Sequence, residues 1–200
     1  MSVVLSGADA ENQKLVNKIN DFIGRPFFKS GKYSVSRSLL PFYETPTELV
    51  KVMNFATIPN VTRAFLCGND NVFETDGTSD AVYEANDLFS LKIDEKNALD
   101  YVAFFFERLR SPQGRFKLIR NVADIPFTAN VDEETLKALE QMIAAPEITE
   151  NPKGFEIRAN VLFATSLFRS ELSVAKDGTV EIKGETPLFS DLPVQRPRLR

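Results

Sequence analysis

Phe155-Glu156-Ile157-Arg158-Ala159-Asn160-Val161, with Phe163 beyond it, alternates apolar and polar side chains with a period of two. Successive side chains of a strand point to opposite faces, so the stretch predicts a strand with one buried face. Phe168, Ser170, Leu172 and Val174 repeat the pattern. Lys176-Asp177-Gly178 has the composition of a hairpin turn, and Val180 and Ile182 supply a returning strand. Strands joined by turns this short run antiparallel, so the C-terminal third is a β-meander.

Upstream of the meander the period is helical. Asp132 is placed to cap a helix reaching about Ala145, with Val131 and Leu136 as a hydrophobic staple and Pro146 as its stop. Residues 116–120 read as a strand, and 121–130 as a loop interrupted by Pro126. The most apolar helix is predicted over 94–110, with Asp94 as N-cap and Ser111-Pro112 closing it. Its apolar arc, centred on Phe105, spans about 160° and places it at the middle of the core. Phe104 falls outside that arc and needs a second covering. Two are available, the N-terminal helix of the same chain or a second subunit in a two-fold homodimer, which makes Phe104 the interface candidate.

Strands over 61–67 and 72–75 flank the turn Gly68-Asn69-Asp70-Asn71, and 88–93 makes a third β-like run. Residues 9–23 form an amphipathic helix ended by Gly24 and Pro26. Thr45-Pro46-Thr47-Glu48 predicts a second short helix ending near Met53, with Thr45 capping, Pro46 in the first turn and Glu48 completing a capping box. Helices and strands do not alternate as in a doubly wound parallel sheet. The expected fold is a single α+β domain over residues 1–200: an antiparallel sheet, helices packed mainly on one face, and a C-terminal β-meander. Leu192 to Arg200, with two prolines and three arginines, is expected to fray.

The 200 residues contain no histidine and one cysteine, Cys67. That excludes Ser-His-Asp and Cys-His nucleophile systems, and a structural zinc, which needs about four Cys or His ligands. No cofactor and no metal is expected. Seventeen phenylalanines without a tryptophan predict an aromatic core, with room for a Phe-lined concavity. A net charge of −4 argues against a nucleic-acid partner, since phosphate binding needs a basic surface. No run approaches the roughly 18 apolar residues of a membrane span, so no membrane partner is expected. The lone cysteine fits a reducing compartment, and the expected location is cytoplasmic.

Arg25, Lys29, Lys32 and Arg37 follow one another with no acidic residue between them. With Ser30 and the amides around Gly31 they form a candidate anion-binding loop, against the alternative of a plain solvated connection. The segment is not a P-loop, because Tyr33 follows Gly31-Lys32 and Pro26 stands where the first glycine belongs. Asn69-Asp70-Asn71 with Glu74, Asp76 and Asp80 lacks the EF-hand order and reads as ordinary turn residues. Cys67 shows no cationic neighbour in sequence and reads as a buried, inert thiol.

Two classes of function follow. One is a non-catalytic binding module for a protein partner, or for a small ligand in a Phe-lined concavity. The other is a histidine-free enzyme with a cone-shaped pocket in which a buried Asp or Glu works beside Tyr or Arg. A buried carboxylate in a deep pocket favours the enzyme, and a flat apolar patch favours the binder.

Overall fold

The computed structural model describes residues 3–6 and 10–194, and their strands divide between two antiparallel sheets. The first joins, in sequence order, Val3–Ser6 (β1), Tyr33–Leu40 (β2), Thr47–Asn54 (β3), Val61–Gly68 (β4) and Asn71–Glu74 (β5). The second is built on Gly154–Phe163 (β8). Along one edge β8 pairs with Ser166–Ala175 (β9), which pairs in turn with Val180–Phe189 (β10). Its other edge is shared, the first half taken by Glu147–Asn151 (β7) and the second by Phe116–Ile119 (β6). The α+β class, the antiparallel pairing and the C-terminal meander are as the sequence pattern predicts.

Helices fill the spaces that the sheets leave. Ala10–Ile23 (α1) covers one face of the first sheet, with Val16 and Ile19 on Val50, Val52 and Phe65. Ser79–Phe89 (α2) and Ala98–Arg108 (α3) lie between the sheets. One cluster joins Leu49 and Leu66 of the first sheet, Tyr101 and Phe105 of α3, and Ile157 and Leu172 of the second. Glu133–Met142 (α4), capped by Asp132, sets Leu139 against Leu162 and Leu167 on the outer face of the second sheet.

Three expectations are corrected. The predicted helix from Thr45 to Met53 is the strand β3. Both faces of this strand are covered, so Leu49, Val50 and Val52 are all buried and the period of two is lost from its sequence. Glu48, instead of closing a capping box, reaches across to Arg37 at 2.7 Å. Second, residues 88–93 do not form a strand. Leu88 and Phe89 end α2, and Leu91 makes a single bridge to Tyr43. Thr78 caps this helix by accepting from the Ala81 N–H at 3.2 Å, and Ser90 closes it in the left-handed conformation, φ 58°. Third, α3 begins at Ala98 instead of after Asp94. The Asp94 carboxylate accepts from the N–H groups of Lys96 and Asn97, at 2.8 and 3.0 Å, and so caps a separate turn. At the other end of the chain, Leu192 and Val194 are buried beside Ile119 and Leu162. The segment expected to fray is therefore packed as far as Val194, and 195–200 lie outside the described residues.

Candidate functional site

Two connections meet at one end of the first sheet, residues 24–32 between α1 and β2, and residues 55–60 between β3 and β4. Gly24, at φ 75°, ends α1. Asn20 then folds the chain back by donating to the Phe28 carbonyl and accepting from its N–H, both at 2.9 Å. That holds Phe28 in the core against Phe65. Asn54 joins the two connections. Its buried amide donates to the Phe27 carbonyl at 2.9 Å and accepts from the Ala56 N–H at 2.8 Å. The Phe55 N–H donates to the Lys32 carbonyl at 2.8 Å.

Four apolar side chains are exposed at this end, two in the connection between β3 and β4 and two on the strands that flank it. Ile58 is exposed over its whole side chain (102%), Phe55 by 47%, Met53 by 38% and Val61 by 37%. The adjoining connection carries cations. Arg25, Lys29 and Lys32 are exposed, and among the described residues no carboxylate pairs with them. The Arg25 guanidinium lies 5.4 Å from the centroid of the Phe27 ring, which Arg63 also approaches at 5.2 Å while pairing with Glu74. Residues 24–37 and 49–64 contain no Asp or Glu. The end is therefore apolar and positive on a chain of net charge −4.

Of the predicted anion-loop residues, Arg25, Lys29, Ser30 and Lys32 share the first connection, where the Ser30 hydroxyl donates to Gln13 at 3.2 Å. Arg37 is set apart from them. It stands on β2, paired with Glu48 and, at 3.8 Å, with Glu11. Phe55 and Ile58 are the site residues that sequence reasoning missed. The signal available was a phenylalanine and an isoleucine inside a short loop rich in turn residues. Phe104, the interface candidate, is 5% exposed and covered by Phe42 of the same chain at a centroid distance of 5.3 Å.

Among the described residues no Asp or Glu is buried. The Tyr43 hydroxyl donates to Asn86, Asn86 donates to Tyr101, and Tyr101 donates to the Gly178 carbonyl at 2.7 Å. Burial pushes both tyrosine hydroxyls far above their ordinary range, so they stay protonated. Burial likewise raises the Cys67 thiol to about 12, against the smaller opposing pull of Lys18 and Arg37. Glu107 is half exposed. The cost of its burial is outweighed by Lys51 and Arg108, which hold its carboxyl below the usual range. Among the described residues no group of three or more Cys, Asp or Glu is placed to hold a metal ion. Many phenylalanines pack on one another in the core, as Phe106 does on Phe116 and Phe116 on Phe163. No family model matches the chain, and no curated protein or solved structure is significantly similar to it.

Proposed function

We propose that the protein is a non-catalytic binding module that docks through the end carrying Phe55, Ile58 and the cations Arg25, Lys29 and Lys32. The observation that carries this reading is Ile58, whose whole side chain stands in water on a loop tied down by Asn54. Leaving apolar side chains together in water forgoes about 1.5–3 kcal/mol for each large one that a partner could bury. A rigid loop also loses little further entropy when it is covered. The absence of a buried carboxylate among the described residues weighs the same way, since the histidine-free enzyme requires one.

A thiol placed beside Ile58 tests the reading without knowledge of the partner. The native Cys67 is buried and protonated, so it is silent to maleimide at neutral pH. An Ala56→Cys variant keeps Phe55 and Ile58 in place. Its labelling rate should be that of a free cysteine in buffer, and should fall several-fold in an extract of cells that express the protein. A Lys183→Cys variant, on the exposed strand β10, should label equally fast in both. Equal rates at position 56 in buffer and extract would overturn the docking reading.

A further inference from the structure

We propose that the partner of this end is the surface of an anionic phospholipid bilayer, a proposal that rests on the docking reading above. Three features of the end fit a lipid surface. The first is depth. Ile58 stands fully clear of the fold, Phe55 is half clear, and Met53 and Val61 form a shoulder behind them. Interfacial binding immerses apolar groups only about 5–10 Å, which loop tips can reach while the strands below stay in water.

The second feature is the position of the charge. Arg25, Lys29 and Lys32 lie on the connection hydrogen-bonded to the apolar loop, through Asn54 to the Phe27 carbonyl and through Phe55 to the Lys32 carbonyl. They are therefore placed to meet headgroups when the tips are immersed. The third is segregation. With four more acidic than basic residues in the chain, a stretch from Phe22 to Tyr43 and another from Leu49 to Leu66 carry none. Glu74 is engaged by Arg63, whose guanidinium lies over the Phe27 ring of the cationic connection, and Asp21 stands in the last turn of α1. The positive end would face the leaflet and the acidic remainder would face away.

The sequence expectation of no membrane partner concerned spans. No described helix is long and apolar enough to cross a membrane. A loop that dips into one face needs no such helix.

Sedimentation with phospholipid vesicles tests the proposal. The full chain should pellet with phosphatidylcholine vesicles containing phosphatidylserine, remain in solution with phosphatidylcholine alone, and be released by salt. Reversing both Lys29 and Lys32 to Glu should weaken binding by about tenfold or more. Phe55→Ser with Ile58→Ser should do the same, by removing the immersed groups. All four positions are exposed, so the melting temperature of each variant should match the wild type. A polarity-sensitive dye on Ala56→Cys should shift to the blue on the anionic vesicles only. Failure to pellet, equal pelleting on neutral vesicles, or binding retained by the Phe55 and Ile58 double variant would overturn the lipid proposal. Labelling of Ala56→Cys in extract cleared of membranes separates this from the docking reading. Protection that survives clearing leaves docking in place and assigns it to a soluble partner, whereas protection absent from the complete extract overturns both.

Discussion

Phe104 projects from α3 away from its apolar arc, and the ring that meets it is Phe42, in the connection between β2 and β3. Within the chain, the covering is this ring and not the N-terminal helix that the helical wheel offered. The contact has a measurable consequence, because truncating a buried aromatic removes its transfer free energy and leaves a cavity. Phe104→Ala should lower stability by about 3–5 kcal/mol in a urea melt. Phe55→Ala, at an exposed site of the same residue type, should change it by no more than about 0.5 kcal/mol. A small loss at Phe104 would mean that the ring is not buried against Phe42.

At the scale of elements, what the sequence revealed depended on contrast between the two sides of each element. The strand β8 reads clearly as far as Arg158 because Glu156 and Arg158 face solvent while Phe155 and Ile157 face the core. Strand β3 has no solvent face over its middle, and its Thr-Pro-Thr-Glu start imitates a helix cap. Tertiary packing overrode that local signal. The site divides in the same way. Its cations were legible as an uninterrupted run, but Arg37 left the group once β2 paired and brought it to Glu48. The exposure of Ile58 depends on where Asn54 ties the loop, which no local pattern encodes. Asn54→Ala should therefore do more than remove a hydrogen bond. Leaving the Phe27 carbonyl and the Ala56 N–H without their partner should cost about 1–3 kcal/mol. Amide hydrogen exchange should quicken in both connections at once, 24–28 and 55–60, while the amides of β8 keep their protection. Acceleration confined to residues 55–60 would show that Asn54 does not couple the two.

Across the whole molecule, α3 is the element that neither sheet can lose. Its buried residues share one core cluster with Leu49 and Leu66 of the first sheet and Ile157 and Leu172 of the second, so separating the sheets would open that shared core. A polar link runs through the same layer. Tyr101 donates to the carbonyl of Gly178 in the β9–β10 turn and accepts from Asn86 of α2, which also accepts from Tyr43 beside the first sheet. Gly178 itself sits at φ 88°, and a Cβ there would lie 2.4 Å from the Tyr101 hydroxyl, so the turn is fitted closely to this link. Tyr101→Phe keeps the ring but strands the Gly178 carbonyl and one Asn86 proton, a loss of about 1–3 kcal/mol. Because the layer is shared, that loss should lower the urea midpoint of the whole protein while leaving a single transition. Hydrogen exchange of β4 and β8 amides should converge on the same opening free energy before and after the substitution. If Tyr101→Phe instead unfolds β8–β10 at a lower urea concentration than β1–β5, the two sheets are separate cooperative units, and α3 belongs to only one of them.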